Sequence, residues 1–165
     1  MRSTTNYRRM PRAGLDPIDD PGTALATFTL VMSRPPRFET ILLLLDDARC
    51  GRAIVTVAGT TDPDATLEVV EFVSSACDDL GSIVVASVRP EAGSVVGGFH
   101  GARGVPDAGD RDVDRWLEMS ELTSLAGVEL LDWFVFGGVV SCPRDRLGEP
   151  PRWPDRAPGC PHEPE

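Results

Sequence analysis

The chain has 165 residues, 41% of them hydrophobic and 25% charged, which suffices for one domain with a packed core and argues against wholesale disorder. Its formal net charge of −10 sets up a field that repels phosphate backbones and anionic headgroups, so neither nucleic acid nor a membrane surface is expected as a partner. The longest apolar runs, such as Ile41 to Leu45, fall far short of the roughly 20 residues that cross a bilayer.

In chain order, residues 1–23 are polar, with three prolines and no sustained periodicity, and read as a flexible leader. No apolar stretch follows Arg8, Arg9 and Arg12, so secretion is not expected. Leu25 to Met32 has strand-like content, and Pro35-Pro36 then breaks it. The unbroken apolar run within Glu39 to Leu45 predicts a strand covered on both faces, and Asp46-Asp47 and Gly51 a turn into a third strand over Ala53 to Ala58.

Asp62-Pro63 is a helix start, an N-cap followed by proline at the first helical position. That helix is expected to run to about Asp79, with Val69, Val73, Ala76, Cys77 and Leu80 inward and Gly81 as its stop. Ser82 to Val88 reads as a buried strand, followed by a long glycine-rich loop from Pro90 to Gly109. A second helix is expected over Asp112 to Ala126, with Val113, Trp116 and Leu117 inward and Gly127 ending it. Val128 to Phe136 and Val139 to Cys142 then read as strands joined at Gly137-Gly138. From Glu149 onward six prolines in 17 residues predict an extended or disordered tail, which leaves residues 24–148 as an α/β domain.

Four cysteines stand far apart with no C-x-x-C pair, so neither a zinc ribbon nor a redox dithiol is indicated. They are expected to be free thiols in a reducing cytoplasm, with Cys50, Cys77 and Cys142 as packing residues.

The run Gly127-Val-Glu-Leu-Leu-Asp132-Trp-Phe-Val-Phe-Gly137, followed by Val140-Ser141 and Arg144 to Gly148, carries a resemblance. It is similar to the end of RadC-type JAB/MPN domains, where "GI-x-LLDHIIVG" precedes "VSFREEG". Glu39 to Asp47 resembles that family's "EHF…LD" strand, and Gly59-Thr60 falls at its Gly-Thr, so the likeness spans residues 37–148. It implies a JAB/MPN-like (cytidine-deaminase-like) mixed sheet with helices packed on it.

Active members of the family hold zinc with two histidines of H-x-H-P and the aspartate of P-S-x-x-D, while an upstream glutamate serves as base. Two imidazoles, a carboxylate and a water make an open tetrahedral site in which the base takes the water's proton. At the H-x-H-P positions this chain has Ser87-Val88-Arg89-Pro90. Serine is a poor zinc ligand, and arginine brings a permanent positive charge to the place of a dication. Glu39 matches the upstream glutamate. Pro106 to Asp110 fits P-S-x-x-D with the serine replaced, whereas counting back from Gly127 favours Asp112, so both Asp110 and Asp112 stand for the aspartate.

The resemblance with its missing ligands implies a catalytically degenerate domain, with no catalytic residue, metal or cofactor expected, acting as a protein-interaction or scaffold module. Arg89 is then expected to pair with Glu39 or Asp110 and fill the metal position. The alternative is a JAB-like zinc hydrolase of peptide or isopeptide bonds with a rearranged site, in which His100, Asp107, Asp110 and Asp112 hold the metal and Glu39 is the base. Without any site, Glu39 is a charged strand start, Arg89 a solvated loop-edge arginine, His100 an exposed loop residue, and Asp107 to Asp114 a solvated acidic helix start that favours the helix dipole.

Overall fold

A computed structural model describes residues 10–59, 62–77, 79–90 and 108–153. The fold is α/β, a five-stranded mixed sheet with helices on both faces. The elements run α1 (Pro21–Val31), β1 (Glu39–Leu45), β2 (Gly51–Ala58), α2 (Pro63–Ala76), β3 (Ser82–Val88), α3 (Asp110–Leu125), β4 (Glu129–Phe136), β5 (Val140–Ser141) and α4 (Pro143–Leu147). The strand order is β2-β1-β3-β4-β5. Among the described strands only β3 and β4 are parallel, and the chain between them crosses over through α3, since a parallel pair cannot be closed by a tight turn.

β1 and β3 are buried along their whole length, as the apolar runs within them predict. Strand alternation divides the core in two. Ile41, Leu43, Leu45, Val84, Ala86 and Val88 point to the face packed with Phe28 of α1 and with Trp153. Leu42, Leu44, Ile83 and Val85 point to the opposite face, against Val70 and Val73 of α2 and Trp116 and Met119 of α3.

Several expectations are corrected. Leu25 to Met32 is helical, in α1: Asp20 is an N-cap whose carboxylate accepts from Thr23 N–H at 2.9 Å, and Pro21 is pre-set for the first turn. Thr27 and Thr29 donate their hydroxyls to the carbonyls of Thr23 and Leu25, so these β-branched residues satisfy their polar groups inside the helix. The stretch before it, part of the expected leader, is packed: Ile18 is buried in the α1-side core, and Pro17 bridges to Cys50.

Helix α2 is capped by Asp62 as expected, but it ends at Ala76; Val73 is buried and Val69 and Leu80 pack partly buried against the core as expected, Thr66, Val70 and Ser74 are buried too, and Ala76 and Cys77 are exposed. Gly81 is no helix stop; a Cβ there would lie 2.6 Å from the backbone nitrogen of Asp47, so it allows a close approach of two loops. In α3, Trp116 faces inward as expected, whereas Leu117 is 48% exposed and Met119 and Thr123 take the inner positions. Gly127 follows α3 at φ +74°, the left-handed conformation its sequence position predicts.

Residues 149–153, assigned from sequence to the tail, lie against the domain. Trp153 is 8% exposed, and the Arg152 guanidinium donates to the carbonyl of Leu130 at 3.1 Å and stacks over the Trp116 ring at 4.4 Å. Trp116 Nε1 donates to Glu149 at 3.1 Å. No helix among the described residues is long and apolar enough to cross a membrane.

Candidate functional site

The register of β1 and β3 decides where the candidate residues go. Glu39 sits opposite Val88 and Thr40 opposite Ser87, so Glu39 shares the α1 side of the sheet with Val88. There it is 2% exposed, and its two carboxylate oxygens accept from the backbone N–H and the hydroxyl of Ser33, both at 2.8 Å. Glu39 therefore ties the end of the α1 connection to the start of β1.

Ser87 and Arg89 lie on the other side. Ser87 is fully buried, and its hydroxyl accepts from the indole Nε1 of Trp133 at 2.9 Å. Beyond the end of β3, Arg89 reaches the first turn of α3 and grips Asp112 with both terminal guanidinium nitrogens, Nη1 at 2.9 Å and Nη2 at 2.6 Å. The two side chains are 15% and 3% exposed. Asp112 also accepts from Gly109 N–H at 2.7 Å, so one carboxylate caps α3 and neutralises the arginine.

The expectation that Arg89 forms an ion pair at this corner is met, with a different partner: Asp112, and not Glu39 or Asp110. Asp110 points away, with its side chain 94% exposed and paired to Arg146 at 3.0 Å. The start of α3 is thus not a wholly solvated acidic patch, because its central carboxylate is buried. His100 and Asp107, and most of the glycine-rich loop, lie outside the described residues.

The donor set does not fit a zinc ion. Asp112 has its oxygens engaged by a guanidinium and a backbone N–H, and Ser87 is held by an indole. Arg89 brings a fixed positive charge, and Glu39 is across the sheet. Among the described residues, no group of three or more His, Cys, Asp or Glu side chains could hold a metal ion.

A second polar cluster, which sequence reasoning did not single out as a site, lies under the C-terminal segment. Asp132 is fully buried on β4 and accepts from Arg144 Nε at 3.2 Å, from Arg144 Nη2 at 3.0 Å and from Trp153 Nε1 at 3.1 Å. Arg144 is itself 7% exposed. The signal was in the sequence: an aspartate inside the apolar run Leu130 to Phe136 has to be paired if that run is a buried strand.

Cys142 borders this cluster. Burial, then the negative charge of Asp132 and Asp145, pushes its thiol up to about 12, so it is a neutral packing group at physiological pH. Cys50 is also buried, but Cys77, expected as a packing residue, is exposed. Iodoacetamide should modify Cys77 in the native protein, whereas Cys142 should react only after denaturation, as read by peptide mass mapping. Equal rates at the two positions in native protein would contradict the packing of Cys142.

On the α1 face, Ile18, Thr27, Leu43, Ile54 and Met10 line an open cavity of about 260 Å³ whose only charged lining residue, among the described residues, is Arg52. It carries no convergent set of catalytic groups. Compared with protein-family models the chain matches none, and comparison with curated proteins finds no significant match.

Proposed function

We propose that this chain is a catalytically degenerate RadC/JAB-like domain that works through protein contacts in the cytoplasm. The observation that carries the reading is the Arg89–Asp112 pair. At the corner where the resemblance calls for a dication held by imidazoles and a carboxylate, the chain supplies its own cation and uses the carboxylate to neutralise it. A protein that keeps the frame and fills the position internally has kept the fold for something other than metal chemistry.

Two further observations support the family frame. Asp132 of the "LLD" stretch and Arg144 of the stretch similar to "VSFREEG" meet in one buried ion pair, so the two halves of the resemblance are physically coupled. Ser141, of the same second stretch, accepts from Ala108 N–H at 3.0 Å and holds the approach to α3.

Incubation with zinc and with peptide or isopeptide-linked substrates tests this. Expected is no turnover above the enzyme-free rate. Turnover that disappears in both His100→Ala and Glu39→Gln would establish the hydrolase with a rearranged site instead.

A further inference from the structure

The two edges of the sheet are treated differently. At the β4 edge, β5 covers Val135 and Phe136, and below it Arg152 donates to the Leu130 carbonyl while Trp153 packs into the core. At the β2 edge, backbone pairing from the described N-terminal segment reaches only the beginning, where Pro17 bridges to Cys50 and Gly14 N–H donates to Gly51 C=O, while Met10, Pro11 and Ala13 face Ala53 and Ile54 across an open cavity. Among the described residues, no segment other than β1 pairs with β2 from Ala53 to Ala58.

That stretch, Ala53-Ile54-Val55-Thr56-Val57-Ala58, carries none of the sequence devices that blunt an exposed edge. It has no charge, no proline and no bulge, the only irregularity of the β1–β2 ladder being at Leu44/Leu45. Ala53, Ile54, Thr56 and Ala58 are exposed. The phase of the ladder follows from Gly59 N–H donating to Phe38 C=O: with Phe38 and Gly59 a hydrogen-bonded pair, Val57, Val55 and Ala53 bond inward to β1 by alternation. Ile54, Thr56 and Ala58 then direct their N–H and C=O groups outward.

We propose that two copies of this chain join through β2, antiparallel about a two-fold axis at Thr56, into one continuous sheet. In that register Thr56 faces Thr56 of the second copy and Ile54 faces Ala58, and all these pairs are ones whose backbone groups point outward. The edge is thus self-complementary, as a two-fold interface requires. On the helix-α2 side, Val55 of each copy meets Val57 of the other, a β-branched cross-strand pair.

Charge selects the same arrangement. β2 carries one charge, Arg52, at its start, while Asp62 and Asp64 beyond its end are already paired with Arg111 and Arg115. Antiparallel pairing sets the two Arg52 side chains at opposite ends of the joined strands, and parallel pairing would bring these like charges together. This proposal does not rest on the fate of the metal position.

Sedimentation of the full chain over a dilution series tests it, with Thr56→Lys and Thr56→Pro as variants. Lysine would face its own copy across the axis, and proline removes an outward donor that β1 does not use. The wild type should show a two-chain mass at the high end of the series. Either variant that keeps the native far-UV circular dichroism should show a one-chain mass at the same concentrations, and Thr56→Val should stay a dimer. A wild type with a one-chain mass throughout, or folded Thr56→Lys and Thr56→Pro proteins that remain dimers, would overturn the proposal.

Discussion

Replacing Asp132 by alanine should destabilise the domain by about 4 kcal/mol, read as a fall in the urea midpoint. The carboxylate is fully buried and accepts three side-chain hydrogen bonds, two from Arg144 and one from Trp153. Removing it leaves a guanidinium that is 8% exposed with Glu149 C=O and the largely exposed Asp145 as its remaining partners, a cation that neither water nor protein compensates well. The same change releases the indole of Trp153, so the C-terminal segment should loosen first, with a red shift of tryptophan emission. An Asp132→Ala/Arg144→Ala double variant should cost clearly less than the sum of the two singles, because the second substitution removes the charge that the first one strands. Additive effects would mean that the pair is not coupled as its geometry implies.

The second large effect is expected at Arg89. Arg89→Ala leaves Asp112, whose side chain is 3% exposed, without its counter-charge and should cost about 3 kcal/mol. Asp112→Ala should cost as much or more, since the carboxylate also accepts from Gly109 N–H, and loss of such a cap is itself worth about 1 kcal/mol. A double-mutant cycle on Arg89 and Asp112 should give a coupling of about 2 kcal/mol, and Asp110→Ala, on a side chain 94% exposed, should be within about 0.5 kcal/mol of wild type. Both predictions follow from burial of paired charge, and both are independent of function.

Sequence carried the parts of this fold in which one signal dominates. Unbroken apolar runs marked β1 and β3, Asp62-Pro63 marked the start of α2, and Gly137-Gly138 marked the β4–β5 hairpin. It failed where two signals competed. The Thr-Phe-Val content of residues 25–32 read as strand because Asp20-Pro21, the cap and first residue of α1, had been assigned to the leader. Six prolines outweighed Arg152 and Trp153, yet it is these two side chains that hold the segment to β4.

The candidate site shows a different limit. Arg89 could be matched to a metal-ligand position from its spacing, but its partner lies 23 residues on, and only the placement of α3 chooses Asp112 over Asp110. Whether Glu39 joins them depends on the pairing of β1 with β3. One residue of register moves a side chain to the other face, and the observed pairing of Glu39 with Val88 puts it on the α1 side.

The most direct test of the central claim, that Arg89 and Asp112 occupy the position a zinc ion would need, is the metal content of protein purified without chelator, measured by elemental analysis beside a His100→Ala variant. Zinc near zero in both is the predicted result. About one zinc per chain, lost in the variant, would contradict it and assign the metal to a site built around His100.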